Sequence, residues 1–157
     1  MSVVIENLKE ALRGESKAQR KYQLFAEKAD EENLPQVARL FKAVSFAESI
    51  HIKNHLRALE VITGSEPDLE EITQIDEQEM RGLVKDTKSN LQDAIEGETY
   101  ETKTMYKNFE KAAKKEEQNV AELSFSLARK AEVVHRKTFS SHLKWLEKGK
   151  KIDAREI

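Results

Sequence analysis

The stretch VARLFKAVSFAESIHIKNHLRALEVI, residues 37–62, decides the fold. Val37, Phe41, Val44, Leu59 and Ile62 recur at steps of three and four, with His55 and Ala58 on the same side. That spacing is one face of a long amphipathic helix. At mid-length the apolar face is interrupted by Glu48 and His51. Three other stretches do the same: Ile5, Leu8, Leu12, Ala18, Tyr22, Phe25 and Ala29 run through Glu15. Leu91, Ala94, Met105, Phe109 and Ala112 run through Glu98 and Glu101, and Ala121, Phe125, Ala128, Phe139, Leu143 and Leu146 through Glu132 and His135. A carboxylate on an inward face is costly unless its charge is compensated. Five of them, with no evident Lys or Arg partner in the stripes, imply a bound cation.

Five Gly and two Pro favour long helices over strands. Helices are expected at about 3–31, 35–63, 87–115 and 118–148, with Pro35 in an opening turn, Gly64 and Gly149 as stops, and Asp86 or Thr87 as a cap. The connection 64–86 is long for a compact domain. A helix of nearly thirty residues is about 40 Å long, so a chain returning from end to end needs such a length. The expected architecture is an all-α four-helix bundle over residues 1–149, two antiparallel hairpins joined by a crossover, followed by a tail at 150–157. Leu69, Ile72, Ile75 and Met80 are placed to cover one bundle face.

The absence of cysteine excludes disulfides, thiolate metal sites and thiol catalysis. A net charge of −2 gives no case for nucleic acid, and no apolar stretch approaches the length of a membrane span. A soluble, cytoplasmic protein is expected. A charged share of 36% against an apolar share of 38% suits long helices with one face in water. Runs such as Glu70-Glu71, Glu116-Glu117 and Lys114-Lys115 read as solvated surface.

The halves repeat. Ala11-Leu12-Arg13-Gly14-Glu15-Ser16 matches Ala94-Ile95-Glu96-Gly97-Glu98-Thr99, and Glu27-Lys28-Ala29 matches Glu110-Lys111-Ala112 at the same offset. Ala47-Glu48-Ser49-Ile50-His51 matches Ala131-Glu132-Val133-Val134-His135 with one extra residue, expected in the second hairpin loop. Duplication predicts a pseudo-twofold axis with the site on it. On a helix, positions i and i+3 face one way, so Glu48 with His51, Glu98 with Glu101, and Glu132 with His135 each offer two donors to one cavity. One Glu from each of two helices plus Glu-x-x-His from the other two is the di-iron bundle pattern. The expected ligands are Glu15, Glu48, His51, Glu98, Glu101, Glu132 and His135, around two iron ions, with manganese or zinc as substitutes. Tyr22 and Tyr106 lie two turns beyond Glu15 and Glu98, where each hydroxyl either donates to a ligating carboxylate or simply packs. His55, one turn after His51, reads as a support or channel residue or as a satisfied core histidine. His142 is expected on the surface; Tyr100 and Trp145 are expected to pack.

Taken together, Gly14-Glu15-Ser16 with Tyr22, Ala47-Glu48-x-x-His51, Gly97-Glu98-Thr99-Tyr100-Glu101 with Met105-Tyr106, and Ala131-Glu132-x-x-His135 resemble the rubrerythrins of the ferritin-like superfamily, across residues 1 to about 150. The resemblance implies a peroxidase reducing hydrogen peroxide, with oxygen and a ferroxidase role as the rival. It also implies that Glu48 and Glu132 or Glu98 bridge or chelate two irons while Glu101 and His51 alternate on one of them. Glu101, His51, Tyr22 and Tyr106 thereby acquire catalytic or supporting roles. Rubrerythrins usually carry a C-terminal four-cysteine iron domain, and the tail resembles the linker before it. Electrons are therefore expected from an external rubredoxin-like protein or flavoprotein. A homodimer, in some relatives formed by exchange of helical hairpins, is the implied assembly.

Overall fold

A computed structural model describes residues 2–149; the tail assigned to 150–157 lies outside the described residues. All regular structure among the described residues is helical: α1 (Val3–Glu31), α2 (Pro35–Thr63), α3 (Leu69–Thr73), α4 (Glu77–Gly82), α5 (Thr87–Tyr100), a π-helical turn (Glu101–Met105), α6 (Tyr106–Lys115) and α7 (Asn119–Glu147). α1 pairs with α2, α5 and α6 pair with α7, and α2 packs on α7. Four long rods result, the third of them built from α5, the π-turn and α6.

Local chemistry sets the ends. Ser2 Oγ accepts from the Val4 N–H, Pro35 opens α2, and Asp68, Asp76 and Asp86 side chains cap α3, α4 and α5. Gly64, at φ 75°, closes α2 in the left-handed conformation that costs glycine least. The Thr87 N–H donates to Glu32 Oε1 at 2.8 Å, which places the start of α5 beside the α1–α2 loop. The crossover has thus travelled the length of α2, and α2 and α5 run parallel. On the way Leu69 and Ile72 pack against the core, Met80 is fully buried, and Ile75 remains exposed. Arg20 forks onto Glu77, with Nε 2.7 Å from Oε1, tying α4 to α1. An exposed pair of this kind is largely screened by solvent and contributes little, so the buried apolar residues carry the docking.

The third rod is not the unbroken helix that its periodicity suggests. A π-turn accommodates one residue more than an α-helix over the same rise, and this relocates the extra residue of the second repeat. The two hairpin loops match at a spacing of 84: Leu34 N–H to Ala29 O parallels Gln118 N–H to Ala113 O, and Asn33 N–H to Asp30 O parallels Glu117 N–H to Lys114 O. Asn33 and Glu117 adopt φ 60° and 56°. Both are the same helix-closing motif. The insertion therefore lies in Glu101–Met105 and not in the loop, and Ala113, fully buried, is the counterpart of Ala29 where the sequence match suggested Ala112. Two further expectations are overturned. His142 is 8% exposed, with Nδ1 donating to the Thr138 carbonyl at 2.9 Å, because its position on α7 corresponds to the buried Ala58. Tyr100 is 54% exposed, since it falls between the inward residues Glu98 and Thr102.

The core is two apolar clusters. One holds Leu8, Leu12, Leu59, Tyr106, Phe109 and Phe125; the other holds Tyr22, Phe25, Phe41, Leu91 and Phe139. The acidic residues of the four rods lie between them.

Candidate metal centre

Each long rod brings its carboxylate to the same depth, and the inward helical face leaves no exit to water. Glu15, Glu48, Glu98 and Glu132 are at most 1% exposed and His51 is 5% exposed. Their donor atoms fall into two groups, each within 4.8 Å: Glu15, Glu48, His51 and Glu132, and Glu48, Glu98, Glu132 and His135. Glu48 and Glu132 belong to both. His51 Nδ1 lies 3.3 Å from Glu15, 3.6 Å from Glu48 and 3.4 Å from Glu132. His135 Nδ1 lies 3.6 Å from Glu48, 3.7 Å from Glu98 and 3.3 Å from Glu132. The pseudo-twofold axis passes between the shared carboxylates.

Both oxygens of Glu48, both of Glu132, Glu98 Oε2 and His135 Nδ1 are buried with no hydrogen-bond partner. Buried polar atoms in native proteins are nearly always paired, and six orphans converging on two points are what a pair of cations would satisfy. The donors are hard oxygens with one imidazole for each point, a set suited to iron, manganese or zinc. Electrostatics shows the same strain. Burial pushes the Glu15 carboxyl up, but the neighbouring Glu48 and His51 bring it down to about 2. Glu48 goes the other way, well above the usual range, through burial and the charge of Glu15. Glu98 is raised by burial, against the pull of His135. The cost of burial and the repulsion that raise Glu48 and Glu98 are what a bound cation would offset.

Glu101 stands apart. It opens the π-turn, is half-buried, and belongs to neither donor group. Burial, then the charges of Glu15 and Glu98, push its carboxyl well above the usual range. Lys21, whose ammonium is 2.9 Å from Asp93, pulls in the opposite direction. Arg129 supports the π-turn: Nε donates to the Thr102 carbonyl at 3.2 Å and an NH group pairs with Glu110 at 2.9 Å. In the unbroken α1 the equivalent carbonyl, of Gln19, receives Ser45 Oγ at 2.9 Å.

The tyrosines cross the axis. Tyr22 donates to Glu98 Oε1 at 3.1 Å and Tyr106 donates to Glu15 Oε1. Burial, then the surrounding carboxylates, push both phenols well above their usual range, so each keeps its proton. His55 is fully buried, with Nε2 2.9 Å from the Tyr106 hydroxyl and Nδ1 2.6 Å from Ser124 Oγ. Burial brings its pKa down to about 4, so the ring is neutral at pH 7. Sequence periodicity missed the π-turn, Arg129 and Ser124. The only available signal was the change of repeat spacing from 83 at Glu15 and Glu98 to 84 at Tyr22 and Tyr106.

Known proteins resemble this chain in sequence and fold. The rubrerythrin family model covers residues 6–143. Rubrerythrin-2 of Clostridium acetobutylicum is 34% identical over 153 residues, 96% of this chain and 77% of that protein. Nigerythrin of Nitratidesulfovibrio vulgaris is 37% identical over 131 residues, 83% of this chain and 61% of that one. The structure of fully reduced, all-ferrous nigerythrin superposes with a TM-score of 0.81 at 31% identity, over 94% of this chain and 69% of that one. A Rhodobacter capsulatus bacterioferritin gives 0.75 at 19% identity, over 94% and 89% of the two chains, a likeness of fold alone.

Proposed function

Because the chain belongs to the rubrerythrin family, we propose that it is a non-haem di-iron peroxidase, reducing hydrogen peroxide to water with electrons from an external redox protein. The observation that carries the reading is the pair of donor groups sharing Glu48 and Glu132, with a further carboxyl, Glu101, beside them on the π-turn. Glu15 and His51 are the proposed ligands at one position, Glu98 and His135 at the other, with Glu48 and Glu132 common to both and Glu101 in reserve. Two ferrous ions held there would supply the two electrons and the Lewis acidity that cleavage of an O–O bond requires.

The rest falls to the chain. Reduction of one peroxide to two waters consumes two protons as well as two electrons. Glu101 is suited to hold and deliver a proton, because burial and the charges of Glu15 and Glu98 push its carboxyl well above the usual range while it stays only partly buried. Tyr22 and Tyr106 orient Glu98 and Glu15 through their hydroxyls. The apolar clusters at either end exclude water and strengthen each electrostatic contact between them. The proposed reductant is an external rubredoxin-like protein or flavoprotein.

The test is stopped-flow mixing of the anaerobic ferrous protein with hydrogen peroxide or with oxygen. Faster oxidation by peroxide is expected, slowed by Glu101→Gln. Much faster oxidation by oxygen overturns the peroxidase reading in favour of iron oxidation.

A further inference from the structure

The halves of the bundle carry matching aromatic groups: Tyr22, Phe25, Phe41 and Phe139 on one side, Tyr106, Phe109, Phe125 and His55 on the other. Ring spacings repeat pair for pair. Tyr22–Phe25 and Tyr106–Phe109 are both 6.1 Å, and Phe25–Phe41 and Phe109–Phe125 are both 5.3 Å. Tyr22–Phe139 at 5.5 Å parallels Tyr106–His55 at 5.7 Å. His55 thus occupies the place that Phe139 fills in the other half. Ser124, its partner, likewise occupies the place of Leu40. An apolar pair packs this position on one side, so the fold does not call for a polar pair on the other. Burying an imidazole is costly unless both nitrogens are bonded, and here both are.

The bonds along this line can run in only one direction. An ionised or metal-held Glu15 accepts only, so the Tyr106 O–H donates its hydrogen bond to Glu15. The phenol oxygen then accepts from His55 Nε2–H, and Nδ1 of the neutral ring accepts from the Ser124 hydroxyl. Tyr22 has no such constraint. Among the described residues its hydroxyl is bonded to Glu98 alone, and Phe139 beside it offers no donor.

We propose that His55 is a positioning residue acting through Tyr106: it locks the phenol proton onto Glu15 and makes the Glu15–His51 metal position the tighter of the two. This rests on the dinuclear reading above. The repeat symmetry is thus broken twice, by the π-turn that adds the Glu101 carboxyl and by the His55–Ser124 pair that stands where Phe139 and Leu40 pack in the other half.

The test is a Co²⁺ titration of metal-free protein, followed by cobalt absorption. Wild type is expected to bind two ions in resolved steps. His55→Phe, which copies the other half, should weaken the tighter step about tenfold, as loss of a ligand-orienting partner typically does, and leave the second step unchanged. His55→Gln, whose amide can still donate to the phenol, should recover most of that loss. In a Tyr106→Phe background His55→Phe should add nothing, a non-additivity that a general packing defect does not produce. If His55→Phe unfolds, His55→Leu with Ser124→Ala removes the orphaned hydroxyl and takes its place. Unchanged cobalt steps in His55→Phe, equal weakening by His55→Gln, or additive losses with Tyr106→Phe overturns the proposal. A wild type that binds fewer than two cobalt ions defeats the dinuclear reading itself and this inference with it, a result separable from the others because it appears before any substitution is made.

Discussion

At the scale of single residues, the decisive fact is that two carboxylates serve two donor groups. Glu48→Ala or Glu132→Ala removes a donor from both, so metal analysis should find the content falling from two ions per chain to below one. Glu15→Ala touches one group only and should leave one ion bound. Equal losses in all three variants contradict the shared-ligand geometry. His55 makes a separate prediction, about stability. Its folded pKa of about 4 lies below the ordinary 6.5, so between those values the unfolded chain takes up a proton that the folded chain refuses. The stability this represents is complete above pH 6.5 and is lost as pH falls toward 4, about 3 kcal/mol in all. Urea unfolding of the metal-free protein at pH 7 and 4.5 should show a gap that narrows by about 2–3 kcal/mol in His55→Phe. An unchanged gap means that His55 takes up its proton in the folded state as readily as in the unfolded one. The candidate donors were legible in the sequence, because Glu and His on an apolar stripe stand out against their neighbours. His55 stayed ambiguous, because what tells it from a packing histidine is a tyrosine and a serine more than fifty positions away.

Among the elements, the π-turn matters most. It lets α5 present Glu98 and α6 present Tyr106 while an extra residue places Glu101 between them. Deleting the exposed Thr104 should convert the turn to α-helix, giving the third rod the register of α1. The bundle should still fold and keep its melting temperature within a few degrees, with peroxide oxidation slowed. Deleting the exposed Gln23 from α1 rotates everything beyond it by about 100° and should unfold the chain. If both deletions unfold, the extra residue is structurally required. Arg129→Ala leaves the Thr102 carbonyl without its side-chain donor and should cost about 1–3 kcal/mol, falling toward zero in the Thr104 deletion. Circular-dichroism melts report both. The ends of the long rods could be anticipated from Pro35, Gly64 and Asp86, whose conformational preferences are local. The π-turn could not, since no residue type specifies it; it exists because residues on both sides of it must face the core.

For the whole molecule, the cluster of buried carboxyls is a liability that bound metal turns into cohesion. Ions that bind only the folded chain stabilise it by about 4 kcal/mol per site at a thousandfold excess over Kd. Calorimetry should show the melting temperature falling by at least about ten degrees on chelation and recovering on reloading with Fe²⁺ under anaerobic conditions. A melting temperature indifferent to metal contradicts a preformed site. Among the described residues no helix is long and apolar enough to cross a membrane.

The four long rods, the crossover, the duplication and the buried candidate donors were legible in the sequence alone, because apolar period, capping residues and the penalty for inward charge are properties of segments a few turns long. Only the tertiary structure decided that Glu48 and Glu132 are held in common, that the added residue sits in a π-turn, and that one tyrosine of the symmetric pair is backed by an imidazole. Those features depend on which atoms from distant segments come within a few ångströms of one another, and periodicity along a single helix carries no information about that.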